Sequence, residues 1–342
     1  MSTIPATGAA PDRGRAGPGA AQRSHPRPVL PAGMGSVLGE GRLDPEVIQA
    51  ARRFRSPVPH HQQDARRAAQ LIGRIIEQGP MPLLMVNRPV HDAVELLERQ
   101  AGRLPTIFDA TGPPRSMHAM DAAGAWDGFR ERRRTREQAL GVHGSGDRAG
   151  HTIYGSLQLS HEVGGSDGRV RPNPGAVRYG RVSFELDPAV LRRTTISAVD
   201  SGAGPRIARI APPWELREVI AERVMRSHGW IRDPNLSKPS PWGKAAQGER
   251  SRELRSLLRE PSPAAAEAYL RAHLRDDTWI GRWYVESQVR GVDVSDIRGV
   301  RIDLRPGSGG VREATHGAAL VAAEPRLAAA AEALGLRLLR IR

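Results

Sequence analysis

The stretch Trp279-Ile-Gly-Arg-Trp-Tyr-Val-Glu-Ser-Gln-Val-Arg-Gly-Val-Asp-Val-Ser-Asp-Ile-Arg-Gly-Val-Arg-Ile-Asp303 reads as a strand, a tight turn, a short polar connection and a second strand. Tyr284, Glu286 and Gln288 alternate with Val285, Ser287 and Val289. A period of 2 places the first three on one strand face and the others on the opposite face. An aromatic ring, a carboxylate and an amide sharing a face suit the wall of a cleft. The competing reading makes Glu286 a salt-bridged strand residue and Gln288 a surface one.

Working backwards, helices over about 249–258 and 262–274 lead into this stretch. Before them, 228–248 holds Pro234, Pro239, Pro241 and several glycines and reads as a long surface loop, the kind that often serves as a lid. A helix from Pro213 to about Arg226 buries Leu216, Val219, Ile220 and Val224. Three more strands precede it. They are Thr152–Leu159, with Gly155 at a point of close backbone approach or a bulge, Arg181–Leu186, and Arg193–Ala198. Asp187-Pro188 opens one short helical turn between the last two.

Upstream, the texture is helical. Asp44-Pro45-Glu46 is an N-cap, a proline at the first helical position and an acid in the first turn. A second helix, about 63–78, carries Ala68, Leu71, Ile72, Ile75 and Ile76 at helical spacing. Residues 81–86 form an apolar run with the length of a buried strand. The helix Trp126–Leu140 contains Arg130 and Arg132-Arg-Arg134, read as a solvated face rather than a docking patch. Beyond the focal stretch lie a helix over about 324–334 and a closing strand, 336–341.

The expected organisation is a disordered Pro/Gly/Arg-rich leader at 1–42, a mainly helical region at 43–145 and an α+β unit at 146–305. A C-terminal helix and strand, 306–342, pack on that unit. The fold class is α+β: a helical N-terminal region, then a mixed, mainly antiparallel sheet, curved or split, with helices. The leader buries too little apolar surface to offset its ordering entropy. It reads equally as a plain tail, a secretion leader or a polyanion-binding arm.

With 342 residues the chain can hold one large domain or two smaller ones. No run approaches the ~20 apolar residues that span a bilayer, and no secretory signal peptide is visible. The lack of cysteine excludes disulfides, thiolate metal sites and a cysteine nucleophile. A net charge of +14 could hold polyanions, yet the arginines are spread along the chain, so nucleic acid is not the favoured partner. No Walker or Rossmann phosphate loop, His-Glu-x-x-His pair or Gly-x-Ser-x-Gly elbow is present, and no metal is expected.

Three separated strands carry polar residues: His151 and Tyr154; Arg193, Thr194, Thr195 and Ser197; and Tyr284, Glu286 and Gln288. For the threonines and serine, ordinary strand propensity is the alternative reading. The runs Tyr154–Leu159, Tyr179–Ser201 and Val285–Ile297 together resemble a little-characterised group of bacterial toxin and effector domains of unknown function. The resemblance covers about residues 150–305 and weakly the helical part before them. That group in turn resembles the ADP-ribosyltransferase fold in motif order. His151 with Tyr154 stands first, Thr195-Ile-Ser197 second and Glu286-Ser-Gln288 third.

The resemblance implies cleavage of the nicotinamide–ribose bond of NAD, which passes through an oxocarbenium-like state as glycoside cleavage does. It makes Glu286, Gln288, His151 and Tyr154 the catalytic candidates, with the Glu286 carboxylate facing the positive charge and Tyr154 stacking on nicotinamide. Arg193, Thr194, Thr195 and Ser197 would hold NAD, the arginine and hydroxyls at its pyrophosphate. NAD is the one implied cofactor, consumed as substrate. The acceptor is an unspecified protein or small molecule. A toxin of this kind would be cytoplasmic in its producer until exported by a route that needs no signal peptide. Where the enzyme pattern ends in the catalytic glutamate, this chain has Gln288, which leaves a catalytically inactive binding module as the alternative.

Overall fold

A computed structural model describes residues 30–100, 102–106, 108–109, 125–143, 150–164, 168–200, 208–232, 244–275, 285–305 and 317–342. Most of the leader, the centre of the 228–248 loop and Tyr284 lie outside the described residues. Helices α1 (Met34–Gly39), α2 (Pro45–Arg53) and α3 (Gln63–Glu77) open the described chain. The Asp44 carboxylate accepts from the Glu46 amide at 3.1 Å, so the proline-led cap forms where its residues indicate. Strand β1 (Leu83–Arg88), α4 (Val90–Glu98) and α5 (Ala125–Leu140) follow. Next come β2 (Thr152–Gln158), the two-stranded ribbon β3 (Glu162–Gly164) with β4 (Val170–Pro172), β5 (Val182–Leu186) and β6 (Thr194–Ser197). Helices α6 (Leu216–Ser227), α7 (Lys244–Arg259) and α8 (Ala264–Arg275) precede β7 (Val285–Arg290) and β8 (Ile297–Asp303). The chain closes with α9 (Gly317–Ala333) and β9 (Arg337–Ile341).

One continuous sheet of seven strands, in the order β6-β7-β2-β1-β5-β8-β9, organises the molecule. Its neighbours are antiparallel except β8 and β9, whose parallel pairing needs a crossover and contains α9. The four strands expected to share a sheet do so as β2, β5, β6 and β7, in an unsplit sheet. Its central strand, β1, comes from the region expected to be mainly helical. The two strands of the focal stretch are not neighbours, because β2, β1 and β5 lie between β7 and β8. Their connection crosses the sheet end, pinned by Leu104 N–H on the Val292 carbonyl (2.7 Å) and Asp187 N–H on the Asp296 carbonyl (2.7 Å). At Gly155 a Cβ would come within 2.4 Å of the Met85 carbonyl, so β2 and β1 approach as they do only without a side chain.

The two sheet faces differ in chemistry. One presents Leu84, Val86, Ile153, Leu157, Phe184, Ile196, Val285, Val289, Val300 and Ile302 to the main core. Over it lie the apolar stripes of α3 (Leu71, Ile72, Ile75, Ile76) and α6 (Leu216, Val219, Ile220, Val224). The strand register puts Thr195, Ser197, Glu286, Gln288, Arg290, Tyr154, Ser156 and Gln158 together on the opposite face. Further along that face, Asn87 and Ser183 fasten the 173–180 loop. The Asn87 amide donates to the carbonyls of Pro174 (3.1 Å) and Gly180 (2.9 Å). The sheet thus has an apolar side that builds the core and a polar side that is nevertheless closed.

Candidate functional site

The polar face is densest where β6, β7 and β2 run side by side. Gln288 faces Thr195 on one side and Tyr154 on the other, and Glu286 faces Ser197 and Ser156. Glu286 is 2% exposed, and Gln288, Thr195 and Ser197 are 0% exposed. The Thr195 hydroxyl donates to Gln288 Oε1 at 3.0 Å. Gln288 Nε2 donates to Glu286 Oε1 at 2.9 Å and to Ser197 Oγ at 3.1 Å, and Ser197 Oγ donates to the Val199 carbonyl at 2.7 Å. A carboxylate only accepts, so the amide must turn its nitrogen towards Glu286 and its oxygen to the threonine. Glutamine at this position therefore braces Glu286. A glutamate there would set acceptor against acceptor.

Helix α5 closes the face from above. Trp126, Arg133 and Glu137 recur at a spacing that puts them on one helical side, and Trp126 and Glu137 are buried. Glu137 is the hub. Its Oε1 accepts from Arg133 Nε at 2.8 Å and from the Tyr154 hydroxyl at 2.6 Å. Its Oε2 lies 3.1 Å from His143 Nδ1. The Arg133 guanidinium lies over the Tyr154 ring, 3.9 Å from its centroid, and reaches towards Asp200 at 3.9 Å. Burial alone would lower the Arg133 pKa, but Tyr154, Glu286 and Glu137 around it outweigh that and hold it above its ordinary value. Burial first, then the carboxylates of Glu137 and Glu286, push the Tyr154 phenol well up against the opposing pull of Arg133. The phenol stays neutral and donates.

Of the residues singled out in the sequence, Glu286, Gln288, Thr195, Ser197 and Tyr154 come together here. Thr194 does not, because as the neighbour of Thr195 on one strand it faces the core side. There its hydroxyl donates to the Val190 carbonyl at 2.8 Å. Arg193 precedes the strand, in the short turn Pro188–Arg193, and ion-pairs with Asp296. His151 lies just before β2 and contacts Arg103, which bridges to Asp109 at 2.8 Å. Neither Arg193 nor His151 bonds to the Glu286–Gln288 group among the described contacts.

The sequence reading took Arg132-Arg-Arg134 for a solvated face, which fails at Arg133, and passed over Glu137 and His143. Its arginine run is split: Arg132 and Arg136 are exposed, while the Arg133 side chain is 14% exposed and turned inward. The available signal was the helical recurrence of Trp126, Arg133 and Glu137 where a surface helix ordinarily carries an apolar stripe. Among the described residues no group of three or more His, Asp or Glu could hold a metal ion. No described helix is long and apolar enough to cross a membrane. No protein-family model matches the chain, and a search of curated proteins finds no significant match.

Proposed function

We propose that this chain carries ADP-ribosyltransferase-like chemistry, breaking the nicotinamide–ribose bond of NAD with Glu286 as the charge-stabilising group. The observation that carries the reading is the convergence of Glu286, Gln288, Thr195, Ser197 and Tyr154 on one face of three adjacent strands. As the bond to nicotinamide lengthens, its electron pair leaves with the now neutral base and positive charge grows on the ribose, which water or an acceptor nucleophile then captures with loss of a proton. A carboxylate fixed beside it stabilises that state more than the ground state. Gln288 keeps Glu286 oriented through the 2.9 Å amide bond, and the missing second glutamate is thereby read as a brace. Tyr154 supplies the aromatic face for the planar leaving group. Arg193, Thr194 and His151 take no part in this version of the site.

The test is nicotinamide release from NAD by the wild type and by Glu286→Gln, beside their melting curves. The substitution keeps shape and an acceptor oxygen but removes the charge, so the rate should fall roughly 10²-fold or more with little change in Tm. No release by the wild type, nor by Arg133→Ala, which uncovers Tyr154, would overturn the reading.

A second reading, a module without catalysis, is favoured by the burial of Glu286 and Gln288, whose polar atoms are bonded to each other. It predicts NAD or partner binding without nicotinamide release. A nucleic-acid surface fits less well, because many arginines are matched to acids. Examples are Arg301 with Glu185 at 2.7 Å, Arg226 with Glu222 at 2.6 Å and Arg305 with Asp303 at 2.9 Å.

A further inference from the structure

The space above the Tyr154 ring is already occupied, and the chemistry of the occupant is specific. The Arg133 guanidinium is a planar, delocalised cation 3.9 Å from the ring centroid. Glu137 holds its Nε at 2.8 Å, and Asp200 lies 3.9 Å from its terminal nitrogen. Glu286 stands on the same sheet face as Tyr154, one cross-strand pair along, and its carboxylate favours the same charge. An aromatic face beneath and carboxylates at the rim are what a planar organic cation requires. An ammonium group would gain the charge but little of the stacking. The nicotinamide ring of NAD is a pyridinium, and it shares shape, delocalisation and charge with the group lying here.

The helix that delivers this guanidinium is held differently from the core helices. The buried stripe of α6 includes Leu216, Val219, Ile220 and Val224, whereas the residues α5 buries are Trp126 and Glu137. Lifting α6 would expose a continuous apolar surface. Lifting α5 mainly exchanges ion pairs and hydrogen bonds for water, with a smaller apolar penalty. A helix attached in this way can be displaced while the core stays folded.

We propose that Tyr154 and Glu286 form a planar-cation site on the sheet, that Arg133 fills it as an internal stand-in, and that a ligand pyridinium takes its place when α5 withdraws and carries Arg133 and Glu137 away together. The slot rests on the geometry of these side chains. Its assignment to the nicotinamide end of NAD rests on the function proposed above. In the closed form Arg133 is then an autoinhibitory residue.

The test uses the full chain as wild type, Arg133→Ala and the double variant Arg133→Ala/Glu286→Gln. Each is melted with low-millimolar guanidinium, 1-methylnicotinamide or methylammonium. Expected is a saturable rise in Tm of several degrees for Arg133→Ala with either planar cation. Methylammonium should have a smaller effect, the wild type should not respond, and the double variant should lose most of the gain. Equal stabilisation by methylammonium, or a gain that survives Glu286→Gln, overturns the site. So does the absence of any planar-cation effect. Should Arg133→Ala not fold, Arg133→Lys keeps a charge for Glu137 without the planar group and is read the same way. Nicotinamide release adds the second arm. A severalfold rise in Arg133→Ala over the wild type supports the stand-in role, and loss of the wild-type rate overturns it by making Arg133 a substrate-binding group. Planar-cation binding without NAD cleavage in any variant leaves the slot standing and removes the NAD reading alone.

Discussion

Two of the buried polar clusters among the described residues have settled their charges in opposite ways. Under α5, the Arg133–Glu137–Tyr154 group keeps its ions because each charge has an opposite one beside it. Between α6 and α8, the cluster of Ser227, His228, Tyr269 and His273 contains no carboxylate. Burial, opposed by a hydrogen bond to the Val224 carbonyl, brings the His228 pKa down to about 4. Burial, His228 and nearby arginines hold that of His273 well below the usual range. His228 Nδ1 lies 2.7 Å from that carbonyl, which can only accept, so the proton is on Nδ1 and Nε2 takes the Tyr269 hydroxyl at 3.0 Å. The histidine cluster is a neutral, satisfied joint between helices. The arginine cluster retains the charge that chemistry can use.

The contrast is broken most severely at Glu137. Glu137→Ala leaves a buried guanidinium, a phenol and an imidazole without their common acceptor, and should cost about 3–5 kcal/mol of stability. Denaturant titration checks this, and a loss below about 1 kcal/mol would mean that the cluster is not coupled.

The histidine joint should instead fail with acid. His228 titrates at about 4 in the fold against an ordinary 6.5, so between those values the unfolded chain binds more protons. Its contribution is fully present above about pH 6.5 and falls as pH drops towards 4, by about 3 kcal/mol in total. His273 acts in the same direction. Stability measured across this range should flatten in His228→Gln, and an unchanged slope would refute the assignment.

A smaller effect tests the brace. Gln288→Glu sets a second carboxyl against Glu286 and should cost about 1–3 kcal/mol at neutral pH, shrinking as pH falls and one of the pair takes a proton. A variant as stable as the wild type at every pH would argue that Gln288 is not oriented by Glu286. The smallest change is expected outside both clusters. Arg326 pairs with Glu98 at 2.6 Å in the open, and Arg326→Ala should not shift Tm resolvably, least of all in high salt.

Much of the candidate site was legible because it follows from a period of 2. Glu286 and Gln288 had to share a face, as did Thr195 and Ser197, and the same rule separates Thr194 from Thr195. Grouping Arg193 and Thr194 with the hydroxyls followed motif order across that alternation, and the structure turns both elsewhere. His151 shows the same limit. It precedes β2, where the alternation of the strand no longer directs a side chain.

The sequence by itself determined what is local in this protein: the Asp44 cap, the α3 stripe and the alternation along β2, β5, β6 and β7. These follow from bonded geometry and nearest neighbours, so a few residues specify them. Only the tertiary structure decided that β7 lies between β2 and β6 rather than beside β8, and that a charged helix packs on Tyr154 at the polar face of the sheet. It also decided that Arg133 and Glu137 turn inward while Arg132 and Arg136 face water. Periodicity sets which residues of an element share a side. Which partner meets that side depends on side chains far apart in the chain, here the Tyr154 hydroxyl on Glu137, seventeen residues away.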